Sequence, residues 1–184
     1  MVSRDEIKTY LALSTDTALD SFIDTLISYA TNQIETMCQT PIVATDVTYY
    51  FDGIDSNYKY LPFGNVNSLG TVSERDYPNE SWSLETCYLS EKNNVFMAWN
   101  EHKFDSKHYK AELNVGYSTI PDEIKLVCTE IVATIYNESN KGDGRLGVLT
   151  HNTTGLNGLV QNTTFQSLVD GWRNQLKKYT VPTC

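Results

Sequence analysis

His102, Asp105 and His108 fall close together, and residues of these types could ligate a metal or set an imidazole base beside an orienting carboxylate. Lys103 and Lys107 are interleaved with them, and a polar hairpin turn accounts for all five as well as a site does. Asp16, Asp20 and Asp24 recur at four-residue steps, which lines carboxylates along one helix face for acid–base work or a hard cation. The same spacing describes the solvated face of an amphipathic helix, which is the reading preferred here. The chain has no G-x-x-x-x-G-K phosphate loop, no G-x-G-x-x-G, no H-E-x-x-H and no G-x-S-x-G. No catalytic residue, cofactor or metal is therefore expected, and an enzyme using His102, Asp105 and His108 is the least favoured reading.

Aromatic residues offer a different chemistry. Twelve tyrosines, with Trp82, Tyr88 and Trp99 among the aromatics of the middle section, suggest a surface on which sugars stack. Tyr is equally a favoured strand residue, so this signal does not discriminate, and a small β-rich glycan- or surface-binding module stands as an alternative. Near the end, Phe165, Leu168, Val169, Trp172 and Leu176 repeat at helical spacing. That stripe either packs on the chain's own core or anchors an arm in the groove of another subunit. The second role makes these five residues the candidate interface.

The elements that carry these residues change character along the chain. Ser3 and Glu6 form a capping box opening a short helix with Ile7, Tyr10 and Leu11 on one side. Ser14, Thr15 and Asp16 break it and cap a second helix. There Leu19, Phe22, Ile23, Leu26, Ile27, Ala30, Ile34 and Met37 form a long apolar stripe that ends before Pro41. From Val47 to Val115 the pattern becomes short Tyr-, Val-, Phe- and Thr-rich runs broken by Gly, Pro and Asn. Strands are predicted near 48–51, 58–61, 71–76, 87–90, 95–99 and 109–115. Pro121 suits the first position of a third helix, with Asp122 and Glu123 at its positive end. Its stripe of Ile124, Val127, Cys128, Ile131, Val132 and Ile135 is expected to pack against the second helix. Residues 140–162 hold five glycines with many Asn and Thr and read as a long loop or flexible arm. Thr163 and Gln166 form another capping box, opening a last helix with Lys177 and Lys178 at its negative end. The fold class is thus α+β: a mainly helical core, the long second and third helices packed together, an inserted small β section, and a C-terminal arm plus helix.

The net charge of −9 argues against a protein that grips phosphates, since such a grip needs clustered Lys and Arg. Cys38, Cys87, Cys128 and Cys184 are scattered without a C-x-x-C pair, so reduced thiols fit best. No apolar run reaches membrane-spanning length, and the first residues lack the apolar core of a secretion signal, so a soluble chain that is not secreted is expected. Acceptor tripeptides at Asn79, Asn137, Asn152 and Asn162 are then inert.

In order, the chain presents a capped helix, a long helix ending in Cys38-Gln39-Thr40-Pro41-Ile42, Leu61-Pro62 before Val66-Asn67-Ser68, and the run from Gly116-Tyr117 through Ile120-Pro121 to Lys125. The helix end Val132-Ala133-Thr134-Ile135-Tyr136-Asn137-Glu138 follows. Over residues 2–139 this arrangement resembles the head–tail connector (adaptor, or head-completion) proteins of tailed bacteriophages. Residues 140–184 depart from it, being longer and richer in glycine than in the simplest members. The resemblance implies a connector core over 1–139, with its β insertion at 47–115, and an arm and helix over 140–184. It further implies a virion neck protein assembled in the host cytoplasm, a dodecameric ring of copies of itself beneath the portal protein. Stopper or tail proteins would bind below, and viral DNA would pass through the lumen without sequence-specific binding; no membrane is involved. An acidic wall suits that duty, because it repels phosphate and lets the duplex pass.

Overall fold

In the computed structural model, which describes residues 1–13, 17–92, 95–139, 150–154 and 160–181, helix α1 (Arg4–Tyr10) opens on a reciprocal capping box. The Ser3 N–H donates to Glu6 Oε2 at 2.6 Å and the Glu6 N–H to Ser3 Oγ at 3.3 Å, so each residue satisfies the other's backbone. A single 3-10 turn (Thr17–Leu19) leads into α2 (Asp20–Cys38). Ile23, Leu26, Ala30 and Ile34 are buried at the three- and four-residue steps of one face. The hydroxyls of Thr25, Ser28, Thr31 and Thr36 donate to carbonyls four residues earlier, which lets polar side chains sit inside the helix without an unmet donor.

Helix α3 (Asp122–Glu138) begins one residue after the predicted position, with Pro121 as its cap and two acids in the first turn. Its buried face includes Ile124, Val127, Cys128, Ile131 and Val132, joined by Ala133 and Tyr136. Phe22 and Tyr136 approach with ring centroids 6.3 Å apart, which brings the start of α2 beside the end of α3. Helix α4 (Phe165–Leu176) buries Trp172 and Leu176.

Seven strands fill the middle: β1 (Thr45–Asp52), β2 (Ser56–Tyr60), β3 (Val66–Arg75), β4 (Ser83–Glu85), β5 (Cys87–Lys92), β6 (Val95–Phe104) and β7 (His108–Val115). One antiparallel sheet runs β1-β7-β3-β4 and a second runs β2-β6-β5. Alternation along β1 and β7 sends Phe51, Tyr109, Ala111, Leu113 and Val115 into a core shared by both sheets. At its centre Phe51 stacks on Tyr109 at 5.3 Å, and Phe104 of β6 meets both rings nearly edge-on, at 5.4 and 5.1 Å. Such offset and edge contacts suit the ring quadrupoles. The chain divides into two compact units, residues 1–37 with 121–178 and residues 38–120 with 179–184.

The fold is α+β, but it is not mainly helical: about a third of the chain is strand. The strands are longer than their predicted apolar cores, because ladder pairing carries polar residues along with it. Strand β3 starts five residues before the predicted 71, across Gly70, and register shifts after Val66 and after Leu69 absorb the weak positions. Strand β4 was not predicted. Neither were β8 (Thr150–Thr154) and β9 (Val160–Thr164), which pair antiparallel where a loop was expected up to residue 162 and a helix cap at Thr163. Thr-rich runs without apolar alternation give no period to detect.

Candidate functional site

The β6–β7 connection, which passes from one sheet to the other, carries Asp105, with His102 near the end of β6 and His108 at the start of β7, and the three residues meet different partners. His108 Nδ1 lies 2.7 Å from Asp52 Oδ1 across the β1–β7 pair. Asp105 accepts the Tyr109 hydroxyl at 2.8 Å, and the backbone N–H of His102 donates to Asn100 Oδ1 at 2.9 Å. Lys107 binds Glu74 at 2.8 Å, and Lys103 reaches Asp55 at 3.2 Å. Burial first, then the bond to Asp105, push the Tyr109 hydroxyl well above its ordinary pKa. The expected hairpin is instead a turn that joins two sheets, and no cluster of His, Cys, Asp or Glu able to hold a metal occurs among the described residues.

Asp20 and Asp24 are not the simple solvated face they were expected to be. Arg4 of α1 places Nη1 2.7 Å from Asp20 and Nε 2.9 Å from Asp24, and both its Nη2 with Asp24 and Lys8 with Asp20 make further close ion pairs. The hydrogen bond from Lys8 holds Asp20 below the usual carboxylate range, and that from Arg4 does the same for Asp24. Two cations of one helix thus clasp two acids of the next. Sequence spacing within α2 could not reveal partners lying on α1.

Of the five candidate interface residues, Phe165 is the first of α4, Leu168 and Val169 are half-buried, and Trp172 and Leu176 are buried at 4% and 1% exposure. The Trp172 indole N–H donates to Glu130 Oε2 of α3 at 3.1 Å, and Lys178 Nζ lies 2.7 Å from Glu123. These contacts seat α4 on the helical unit of its own chain.

Two exposed faces stand out on the β unit. On the β2-β6-β5 sheet, Tyr58 and Tyr88 lie opposite Trp99 on either side, forming a cross-strand aromatic row. The Tyr88 and Trp99 centroids are 5.5 Å apart, and Tyr58, Tyr60 and Tyr88 are all exposed. On the β1-β7-β3-β4 sheet, the register places Tyr50 opposite Lys110, and Asp52 and Arg75 opposite His108 on either side. The guanidinium of Arg75 lies 4.3 Å and the ammonium of Lys110 5.4 Å from the Trp82 ring centroid, both within cation–π range. Tyr50, Asp52, Arg75, Trp82 and His108 line a cavity of about 240 Å³ there. Farther along the same sheet Asp46, Glu112 and Asn114 border a cleft of about 350 Å³. The period-2 alternation of β7 foreshadowed a polar face, but the meeting of Arg75, Lys110 and Trp82 depends on a register the sequence does not state.

Gly116 has φ +95°, and a Cβ there would lie 2.6 Å from the Val43 carbonyl oxygen. Only glycine suits that conformation and that approach, which gives the Gly-Tyr lead into α3 a physical cause. No helix among the described residues is long and apolar enough to cross a membrane.

No family model and no curated protein matches the chain. Solved structures do. A chain in the neck of the empty gene transfer agent particle, computed with sixfold symmetry, superposes with a TM-score of 0.67 at 14% identity, covering 100% of this chain and 91% of that one. A chain in the virion of the native gene transfer agent particle gives 0.64 at 14% identity, with the same coverage. A chain in the native particle's neck, computed with twelvefold symmetry, gives 0.56 at 14% identity over 98% of this chain and 89% of that one. At that identity the likeness is one of architecture, and the chain has the fold of chains found in the neck and virion of gene transfer agent particles.

Proposed function

We propose that this chain is a structural head–tail connector: a neck protein that forms a ring beneath the portal of a tailed phage or phage-like particle. The ring extends the DNA channel toward a stopper or tail and carries out no catalysis. One observation carries the reading: the fold likeness to neck chains spans essentially the whole chain, and of nearly the whole of each neighbour. The connector-like order of local signals, from the capped first helix to the Gly116–Lys125 lead into α3, supports it independently. The sixfold and twelvefold symmetries of those necks support a ring, and we assign twelve copies to it.

In this reading residues 1–139 are the connector core, and residues 140–184 form an arm that touches the portal or a neighbouring copy. Trp172 and Leu176 fix α4 to its own unit. Phe165, Leu168 and Val169 are left as the part of the stripe that extends the arm's contact. The net charge of −9 lets DNA pass without being held. A gold-binding tag at the C-terminus, viewed in intact particles, tests the placement. Label at the junction of head and tail is expected, and label at the tail tip or on the capsid shell overturns the reading.

The aromatic row of Tyr58, Trp99 and Tyr88 favours one second reading, a glycan- or surface-binding module. It requires glycan-array binding by a stable monomer with no affinity for the portal.

A further inference from the structure

The cavity beside Trp82 holds an arrangement that neither the fold nor the neck reading accounts for. Most described cations are paired within the chain: Arg4 and Lys8 with Asp20 and Asp24, Lys103 with Asp55, Lys107 with Glu74, Lys125 with Asp122, Arg173 with Asp170, and Lys178 with Glu123. Among the described residues Arg75 and Lys110 have no such carboxylate, nor has Lys59, but Arg75 and Lys110 are gathered over one indole ring. Arg75 is also held in place. Its Nη1 donates to the Pro78 carbonyl at 2.5 Å, while its Nε is buried without a hydrogen-bond partner. The one acid lining the cavity, Asp52, is already engaged by His108 at 2.7 Å. A fixed guanidinium next to an ammonium is a ready receptor for an oxyanion, and a planar fork matches a carboxylate best.

We propose that Arg75 and Lys110, walled by Trp82 and Tyr50, form a socket that receives a carboxylate-bearing segment of a second copy of this chain. The proposal deepens the ring reading and rests on it. The cavity that Arg75, Trp82 and Tyr50 line, about 240 Å³, is below the range typical of small-molecule sites and suits an inserted side chain; Lys110 stands outside that lining, against the same indole. Charge selects the occupant. Each copy carries −9, so neighbouring copies repel at long range, and a stable contact needs a place where cations are left for the partner's acids. Any second copy offers exposed carboxylates in abundance. A DNA phosphate is a poorer occupant, because the duplex meets the whole negative surface before it meets two cations.

The test is sedimentation velocity of the full chain at low salt, over a concentration series, with Arg75→Glu/Lys110→Glu and the neutral Arg75→Gln/Lys110→Gln beside the wild type. Circular dichroism confirms that each variant is folded. Wild-type self-association is expected, weakened at least about tenfold in the neutral variant and further in the reversed one. A wild type that stays monomeric, or variants that associate like the wild type, overturn the proposal. So does a wild type that shifts a DNA duplex in a gel without self-associating, since the socket would then take phosphate. The tag experiment reads position in the particle independently, so a failed socket leaves the neck reading standing, and a misplaced tag leaves the socket result intact.

Discussion

The indole N–H of Trp172 reaches Glu130 Oε2 at 3.1 Å, so the last helix is joined to α3 by a directional bond as well as by a buried ring. Trp172→Ala is expected to destabilise the helical unit by about 3–5 kcal/mol, since it removes both the ring and the donor. Trp172→Phe keeps most of the apolar area and is expected to cost about 1 kcal/mol for the lost bond. Urea unfolding followed by tryptophan-independent far-UV signal compares them. A Trp172→Phe variant as stable as the wild type would mean that the bond to Glu130 contributes nothing.

The clasp of Arg4 and Lys8 on Asp20 and Asp24 predicts an acid-sensitive link between α1 and α2. Both carboxyls titrate below their ordinary range when folded. Their contribution is therefore fully present above the unfolded value, about 3.9, and is lost as pH falls through the lower folded values. Thermal melts from neutral pH into the acid range should show stability falling there. Asp20→Asn/Asp24→Asn should flatten that part of the profile while lowering stability at neutral pH. An unchanged profile in the double variant would show that other carboxylates set the acid limb.

Gly116→Ala is expected to destabilise the β unit by about 2 kcal/mol or more. The new methyl meets the Val43 carbonyl at 2.6 Å and the backbone must keep φ near +95°. Gly171→Ala is the control, because nothing lies within 4 Å of a Cβ there, and inside α4 it should be neutral or stabilising. Chemical denaturation of the two variants decides the difference in sign.

Burial pushes the Cys87 thiol up to about 12, with Glu85 and Glu74 adding to it, and burial pushes Cys128 up to about 11. Only the thiolate attacks disulfide reagents, so at mildly alkaline pH both should react roughly a hundredfold or more slowly than in the unfolded chain. Stopped-flow labelling with an aromatic disulfide, resolved by peptide mass, reads each site. Fast labelling of folded Cys128 would contradict the packing of α3.

What the sequence disclosed follows from how local each signal is. The Ser3–Glu6 box and the stripes of α2 and α3 are written within a few residues of themselves, and they appear where expected. The six predicted strands have counterparts for the same reason, since Tyr49 to Phe51 or Tyr109 to Val115 carry their own alternation. Long-range pairings were hidden. Arg4 with Asp24, and Arg75 with Lys110 over Trp82, depend on which elements become neighbours, and nothing in the spacing of either partner encodes that. The least favoured reading, a site at His102, Asp105 and His108, gains no support, because strand register sets the His108 side chain against Asp52 while Asp105 binds the Tyr109 hydroxyl. For Trp172 the stripe was legible but its destination was not, because an apolar helix face looks the same whether it meets its own unit or another subunit.

Electron microscopy of particles made after an early stop codon is placed in this gene tests the connector reading most directly. Filled or leaking heads beside separate, complete tails are the predicted result, restored to joined particles when the intact gene is supplied in trans. Normal tailed particles in the absence of the protein would contradict a joining role.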